Sequence, residues 1–504
     1  MRLTPSIEAM TPEQILRKTP FSVPIPSGVV GGAPLVKAPS VATVTIDDVV
    51  WEVRTQADFV RQYYPTSHLI NSLKYYPNSL YFDKANGAYQ AKVRSRIAVA
   101  FQQYIHLQRK EALLGNNVGM RLVSGATNKT SLDLLAFYRE GWEDRDMEVA
   151  VNDAIDADGK LADTAVYIYM ENKKVRWRVF SYDKGDVLYP HYDTVTGDLA
   201  LLGRLYYQTD WDGKTQKYLD VVDAKFFTTY VQDEDNAKWK MEGKPKPHGF
   251  PECPVAYHRS NMGPWWEGSQ ALIDGWEIAL SQFAENNQAY ALRILYTLGA
   301  EMEVMSNTDG TPNRIDSIDP NAKVGFLEPA EGADGAFAKQ LEIMKKEILR
   351  GSFVVETPEV KSGTDISSRT VKMLFADSYM KALSDSMEYQ GFLNKIARLF
   401  KFGYFVENGK ASDADKLKVK CYLEPFIFMS ENDVIAGIQQ LVAAGAMSRK
   451  TATELAYNIG YSSPDEVNRI LQESHDELIG AQQVADPQKN NPVNAARAAA
   501  AATK

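Results

Sequence analysis

The sequence predicts an α+β chain of several domains, on three observations. Two long stretches, 268–298 and 369–405, repeat their apolar residues with helical period. Between them in character, and earlier in the chain, 164–231 alternates apolar and polar residues and is rich in Val, Tyr and Thr. Finally, 504 residues with 44% hydrophobic and 24% charged side chains are enough to bury more than one core.

Residues 1–40 are rich in Pro, Gly, Ser and Val without periodicity, and are expected to form an arm lying on a neighbour or in solvent. An amphipathic segment begins at Ile46. Residues 89–114 are expected to be one helix, with Val93, Ile97, Phe101, Ile105 and Leu107 on one side. Thr130–Ala154 is expected to be another. The alternating stretch follows, broken by Glu-Asn, Thr-Gly-Asp and Asp-Gly turns, and predicts an antiparallel β-meander with hairpins. From Gly268 to Leu298 the helical pattern predicts a rod of roughly 45 Å. Pro264-Trp265-Trp266, just before it, is expected to anchor the rod in a core.

Two short strands, Glu301–Met305 and Lys323–Glu328, flank an Asn-Thr-Asp-Gly turn, and Phe337–Arg350 is a short helix. The irregular ETPEVKSGTDISS leads into the second long helix, about 369–405, where Gly391 and Gly403 would permit a bend. A strand over Leu417–Phe428 precedes helices at Glu431–Ala444 and Arg449–Ile459. Ser463-Pro464-Asp465-Glu466 opens a third. The tail after Gly480 is Ala-rich and expected to lack a packed core.

Chemistry is hard to find. Cys253 and Cys421 stand far apart, which argues against a disulfide scaffold and a thiolate metal site. His68, His106, His191, His248, His258 and His475 are scattered without metal-ligand spacing. Gly213-Lys214-Thr215 suggests a phosphate loop, but Gln208 stands where its first glycine is required and a strand follows. His191 with Asp186, Asp193 and Asp198 is the one cluster that could hold Mg²⁺ for nucleic-acid cleavage. The simpler reading is a hairpin with solvated acids. No apolar run reaches the roughly 18 residues of a membrane span, and the start lacks a signal-peptide stretch, so a reducing cytoplasm is the expected setting. With 56 Lys and Arg against 65 Asp and Glu, the net charge is −9, unlike a protein that grips DNA over a broad surface.

The order of elements, with VRWRVFSYDKGDVLYPHYDTVTGDLALLGRLYY, PVAYHRSNMGPWWEGSQALIDGWEIALSQFAENNQAYALRILYTLG and EPFIFMSENDVIAGIQQLVAAGAMSRKTATELAYNIGYSSPDEVNRILQE, resembles portal proteins of tailed double-stranded DNA phages over about 45–480. The resemblance implies an α+β, multidomain portal fold with an α/β wing carrying the antiparallel β-meander (45–265); the N-terminal arm (1–44) and the pair Trp265-Trp266 depart from the family pattern. It implies a first stem helix (266–298), a small α/β clip (299–336), a second stem helix (337–353) and a tunnel loop (354–368). A long bent helix with a wing strand (369–429), a helical crown (430–479) and a flexible tail (480–504) complete it.

It further implies a homo-oligomeric, twelve-fold ring at one capsid vertex, assembled in the host cytoplasm, through which double-stranded DNA passes irrespective of sequence. The implied partners are the terminase large subunit, the major capsid protein, a scaffold and head–tail adaptor proteins, with no membrane, cofactor, metal or catalytic residue. The DNA-facing residues expected in the tunnel loop are Lys361, Ser362, Gly363, Thr364, Asp365, Arg369 and Lys372, whose cations have Glu356 and Glu359 as competing partners. Asp274, Glu277 and Glu285 are expected to form a solvated acidic stem face that repels phosphate. The rival readings are a metal-dependent nucleic-acid-processing enzyme and another virion head–tail adaptor.

Overall fold

The computed structural model describes residues 10–16, 22–26, 43–46, 49–83, 87–123, 129–233, 237–291, 294–298, 303–306, 312–316, 323–327, 333–356, 373–426, 431–447 and 452. These fall into two units, residues 1–358 with 377–426, and 359–376 with 427–504.

The first unit is a mixed α+β assembly with antiparallel sheets, as expected from the sequence. It begins with a single turn, α1 (Pro12–Ile15), closed by a Thr11–Gln14 capping box. Strands β1 (Ser22–Pro26), β2 (Thr43–Ile46) and β3 (Val49–Thr55) form a sheet in the order β1-β3-β2. The expected free arm is therefore corrected at both of its described parts. Ile15 is 1% exposed beneath Tyr189, Leu201 and Leu219 of the chain's own sheet, a burial worth roughly 1.5–3 kcal/mol, and 22–26 pairs with 51–55.

Helix α2 (Gln56–Tyr63), the hairpin β4 (Ser79–Asp83)–β5 (Ala88–Lys92), and α3 (Phe101–Leu114) follow. The single helix expected over 89–114 thus starts only at Phe101. After β6 (Gly119–Leu122), the helix expected over 130–154 is two, α4 (Lys129–Asp144) and α5 (Met147–Leu161). The chain reverses between them at Asp146, in the left-handed region at φ 50°, because Trp142 and Met147 are both drawn into the same core.

The meander is split between two sheets. Strands β7 (Asp163–Glu171) and β8 (Lys174–Phe180) join β15 (Val255–Arg259) in the order β15-β7-β8. Strands β9 (Val187–Tyr192), β10 (Leu199–Thr209), β11 (Thr215–Val222), β12 (Phe226–Gln232), β13 (Trp239–Met241) and β14 (Lys246–Pro247) make the second. The first six residues of β7 are all buried because its sheet is covered on both faces. Val166 and Ile168 face the helical core of Tyr138, Ile155 and Phe400, while Tyr167 packs with Phe180, Leu202 and Val222 of the second sheet.

Helix α6 (Gln270–Ala291) is followed by β16 (Ile294–Leu298), β17 (Glu303–Ser306), β18 (Pro312–Asp316) and β19 (Lys323–Leu327), paired β16–β19 and β17–β18. The last five residues expected in the first stem helix are accordingly strand, hydrogen-bonded to 323–327. Helix α7 (Ala333–Gly351) comes next. The second long helix is α8 (Ala376–Glu388) and α9 (Gln390–Glu407), which meet at buried Tyr389 rather than at either glycine. Helix α10 (Ala411–Ala414) and β20 (Val419–Tyr422), paired with β6, complete this unit.

In the second unit, α11 (Glu431–Ala443) ends in a Schellman turn. Gly445 takes φ 68°, its N–H donates to the Val442 carbonyl at 3.0 Å, and the Ala446 N–H donates to Leu441 at 2.9 Å.

Candidate functional site at the first long helix

Helix α6 is rooted by the tryptophan pair. Trp266 is fully buried against Phe101, Ile105 and Ile273, and its Nε1–H donates to Gln62 Oε1 at 3.1 Å. Trp265 stacks on His106 at 5.1 Å, and the Arg109 guanidinium lies 5.2 Å from the Trp265 ring centroid. A Cβ on Gly159 would lie 2.8 Å from the Trp265 ring, so this close approach requires glycine. The anchoring role expected for the pair is what the contacts form.

Helix α7 returns antiparallel along α6. Ser269 Oγ donates to the Ile348 carbonyl at 3.0 Å and sits 2.8 Å from Ser352 Oγ. Further along, Trp276 Nε1–H donates to the Leu341 carbonyl at 3.0 Å, and Phe283 meets Phe337 at 6.0 Å. Ser269 and Gly351 at the root are small enough for the helices to approach closely: a Cβ on Gly351 would stand 3.0 Å from Ser269 Oγ.

A third segment clasps α6 through side chains other than those that meet α7. The N–H groups of Ser95, Ile97 and Val99 donate to Glu285 Oε1 at 3.0 Å, Ser281 Oγ at 3.0 Å and Glu277 Oε1 at 2.8 Å. An extended chain advances roughly 6.6 Å in two residues and a helix about 6 Å in four, so the two periods match. The next step of the series is Phe101 against Ile273, and there the contact becomes apolar. This ladder is why 93–100 is not helical. Its backbone donors are taken by side chains of α6, and the local apolar period that suggested a helix is overridden.

Glu277 and Glu285, expected on a solvated stem face, are turned into this clasp, which corrects that expectation for the two of them. Glu277 is 1% exposed and bonds His68 Nδ1 at 2.7 Å. Glu285 holds Arg94 through both oxygens at 3.1 to 3.3 Å, and Arg94 lies 3.9 Å over the Tyr76 ring. Asp274 accepts from Gln270 Nε2 at 2.9 Å, and its carboxyl is pushed up to about 6 by burial, the Gln270 hydrogen bond opposing and the Glu277 charge reinforcing the shift. Asp274 and Glu277 also line a cavity of about 180 Å³ with Leu69, Ile70, Tyr76 and Ile278. At the root, Glu267 pairs with Arg54 at 2.5 Å. These side chains brace α6 against 54–99. The polar i, i+4, i+8 spacing of 277, 281 and 285 was a signal for them in the sequence, but their partners His68, Arg94 and three backbone amides were not.

Lys361, Ser362, Gly363, Thr364, Asp365, Arg369 and Lys372 lie outside the described residues. The rival metal cluster does not form. Asp186 binds Arg204 Nε at 2.7 Å beneath the sheet, with Asp220 on Arg204 Nη1 at 3.0 Å, and burial pushes both carboxyls up against the pull of Arg204. Asp193 caps its own turn, accepting from Val195 and Thr196 N–H at 2.7 and 3.0 Å. His191 Nε2 meets the Ile15 carbonyl at 3.2 Å. Among the described residues, no three His, Cys, Asp or Glu side chains converge as metal ligands, and no helix is long and apolar enough to cross a membrane.

A helix pair with a small strand insert between its members matches the element order that resembles phage portal or connector proteins. The family model described as "Phage portal protein, SPP1 Gp6-like" matches residues 45–478, and the chain belongs to that family. Among solved structures, the chain is similar to a component of the "Neck of empty GTA particle computed with C6 symmetry", at 10% identity over 72% of this chain and 90% of that one, with a TM-score of 0.36. It is similar to a component of the "Virion of native gene transfer agent (GTA) particle" at 10% identity over 86% and 97%, also with a TM-score of 0.36. No curated protein matches it.

Proposed function

We propose that the chain is the subunit of a closed, twelve-fold ring at one capsid vertex, where it forms the channel for genome packaging and ejection and acts as a structural conduit without catalytic chemistry. The family membership supports this reading, and the observation that carries it is the α6–α7 antiparallel pair with the β16–β19 insert between its strands of chain. In this reading α6 (within 266–298) and α7 (within 337–353) are stem helices around the duplex. Residues 299–336 are the clip that docks the terminase large subunit and later the head–tail adaptors. Residues 45–265 form the wing toward the major capsid protein and scaffold, and 430–479 the crown.

The electrostatics of the bore differ from a simple acidic lining, because Glu277 and Glu285 are already bonded. Helix α7 supplies the alternative. Its Lys345, Lys346 and Arg350 are paired with Glu356 at 2.5 Å, Glu342 at 2.7 Å and Glu347 at 4.0 Å. Cations with local carboxylate partners release few counterions to a passing phosphate and so let DNA slide.

Native mass spectrometry of the purified full chain tests the ring. A closed assembly near twelve copies is expected, and a monomer or dimer at assembly concentrations would overturn the proposal. The tunnel-loop assignment has its own test: removing 357–366 is expected to spare the ring and lower packaged DNA per particle, and unchanged DNA content would sink it.

A further inference from the structure

Helix α9 lies along the free edge of β20. Lys401 Nζ donates to the Leu417 carbonyl at 2.9 Å and Gln390 Nε2 donates to the Cys421 carbonyl. Val123 N–H donates to Lys418 at 2.9 Å, which makes 418 and 420 the residues bonded to β6 and directs the backbone of Val419 toward α9. Between these two tethers is a cavity of about 380 Å³ whose lining includes Asn394, Arg398, Lys401, Lys418, Lys420 and the single carboxylate Asp415.

The charge here is unbalanced. Glu252 is shared by Lys395 and Arg398, the latter at 2.7 and 2.9 Å. Lys418 and Lys420 have no acidic partner among the described residues. Arg121 stands directly opposite Lys420 across the β6–β20 pair, a cross-strand placement that like charges disfavour. Burial holds Lys401 below the ordinary lysine value, Arg398 acting in the same direction and Asp415 against it.

We propose that this cleft between α9 and β20 binds a phosphate group. One carboxylate ligand would leave cations unmatched. A phosphate carries more charge and has oxygens in several directions, so it can take donors from the helix (Lys401) and from the strand (Lys418, Lys420) together, while Arg398, already bonded to Glu252, adds its positive field. The group can belong to a nucleic-acid backbone or to free phosphate, and the site is independent of the ring reading because each chain carries it whole.

The test is calorimetric titration of inorganic pyrophosphate into the purified full chain, wild type and the double substitution Lys418→Glu/Lys420→Glu. The exposed Lys244→Glu/Lys246→Glu pair on the other sheet is the equal-charge control. A saturable site is expected in the wild type and control, weakened at least about tenfold by the cleft substitutions. A second arm uses short duplex DNA at several salt concentrations. If Lys418→Glu/Lys420→Glu weakens the duplex and lowers the salt slope by roughly two, the phosphate is that of DNA. If pyrophosphate binding falls and duplex binding does not, the source is free phosphate. No saturable pyrophosphate binding by folded wild type, an equal loss in the control pair, or binding of polyglutamate in place of pyrophosphate each overturns the proposal.

Discussion

His68 and Glu277 stand 2.7 Å apart, Nδ1 to Oε1, with both side chains sealed from solvent. The other ring nitrogen of His68 lies 2.7 Å from the Gln62 carbonyl, which can only accept, so Nε2 carries a hydrogen. Contact with Glu277 then needs one further proton, on Nδ1 or on the carboxyl group. The pair therefore joins 62–68 to α6 through a shared proton, and Glu277 accepts from Val99 N–H as well.

Removing one member of this pair strands the other. Glu277→Ala is expected to cost about 3–5 kcal/mol in chemical denaturation. Both contacts fall on the one oxygen, Oε1, so Glu277→Gln can keep an acceptor there for Val99 N–H or a donor for His68 Nδ1 but not both, and should recover part of the loss, costing about 1–3 kcal/mol. Equal losses for the two variants would show that burial volume, and not the hydrogen bonds, is what matters.

The middle rung of the ladder is the simplest to remove. Ser281→Ala leaves the Ile97 N–H without its acceptor and is expected to destabilise by about 1–3 kcal/mol. Hydrogen exchange should accelerate over 95–99 while α4 and α5 stay protected. Unchanged exchange at Ile97 would contradict the ladder.

The two glycines of the second long helix should respond in opposite directions. A Cβ at Gly403 would stand 2.7 Å from Val175 Cγ2, so Gly403→Ala is expected to destabilise by roughly 1–3 kcal/mol. At Gly391 nothing lies within 4 Å, and Gly391→Ala should stabilise by about 0.5–1 kcal/mol through helix propensity. Thermal melts decide it, and a stabilising Gly403→Ala would refute the packing.

Asp163 is fully buried between Gln56, whose Nε2 donates to it at 3.3 Å, and Tyr257, and burial pushes its carboxyl up to about 7. Its folded-state value is raised, so the folded chain keeps a proton that the unfolded chain releases near the ordinary carboxyl value. The resulting stability is present in acid and lost as pH rises through about 7, at roughly 1.4 kcal/mol per pH unit between about 4 and 7. Asp163→Asn should remove this slope and be relatively more stable at pH 8 than at pH 5. Urea midpoints for both proteins at the two pH values check this, and parallel curves would rule it out.

Local chemistry carried much of this fold into view. The turn at Asn172-Lys173, with φ of 52° and 63°, and those at Gly197 and Gly213 are where the residue types put them. The burial of Trp266 and the helix Glu431–Ala443 were also legible. What was hidden depends on partners distant in the chain. Residues 93–100 have a helical apolar period, yet their amides are spent on Glu277, Ser281 and Glu285. The acids of α6 looked solvated because His68 and Arg94 are about 190 to 210 residues away. The interruption of the second long helix falls at Tyr389, whose hydroxyl donates to buried Asp158 at 2.6 Å, and no local breaker marks that contact.

End-on imaging of the purified full-length assembly tests whether α6 and α7 of neighbouring copies stand around a passage for duplex DNA. Closed rings with an axial opening wide enough for a duplex are expected. Compact particles lacking such an opening would contradict that arrangement.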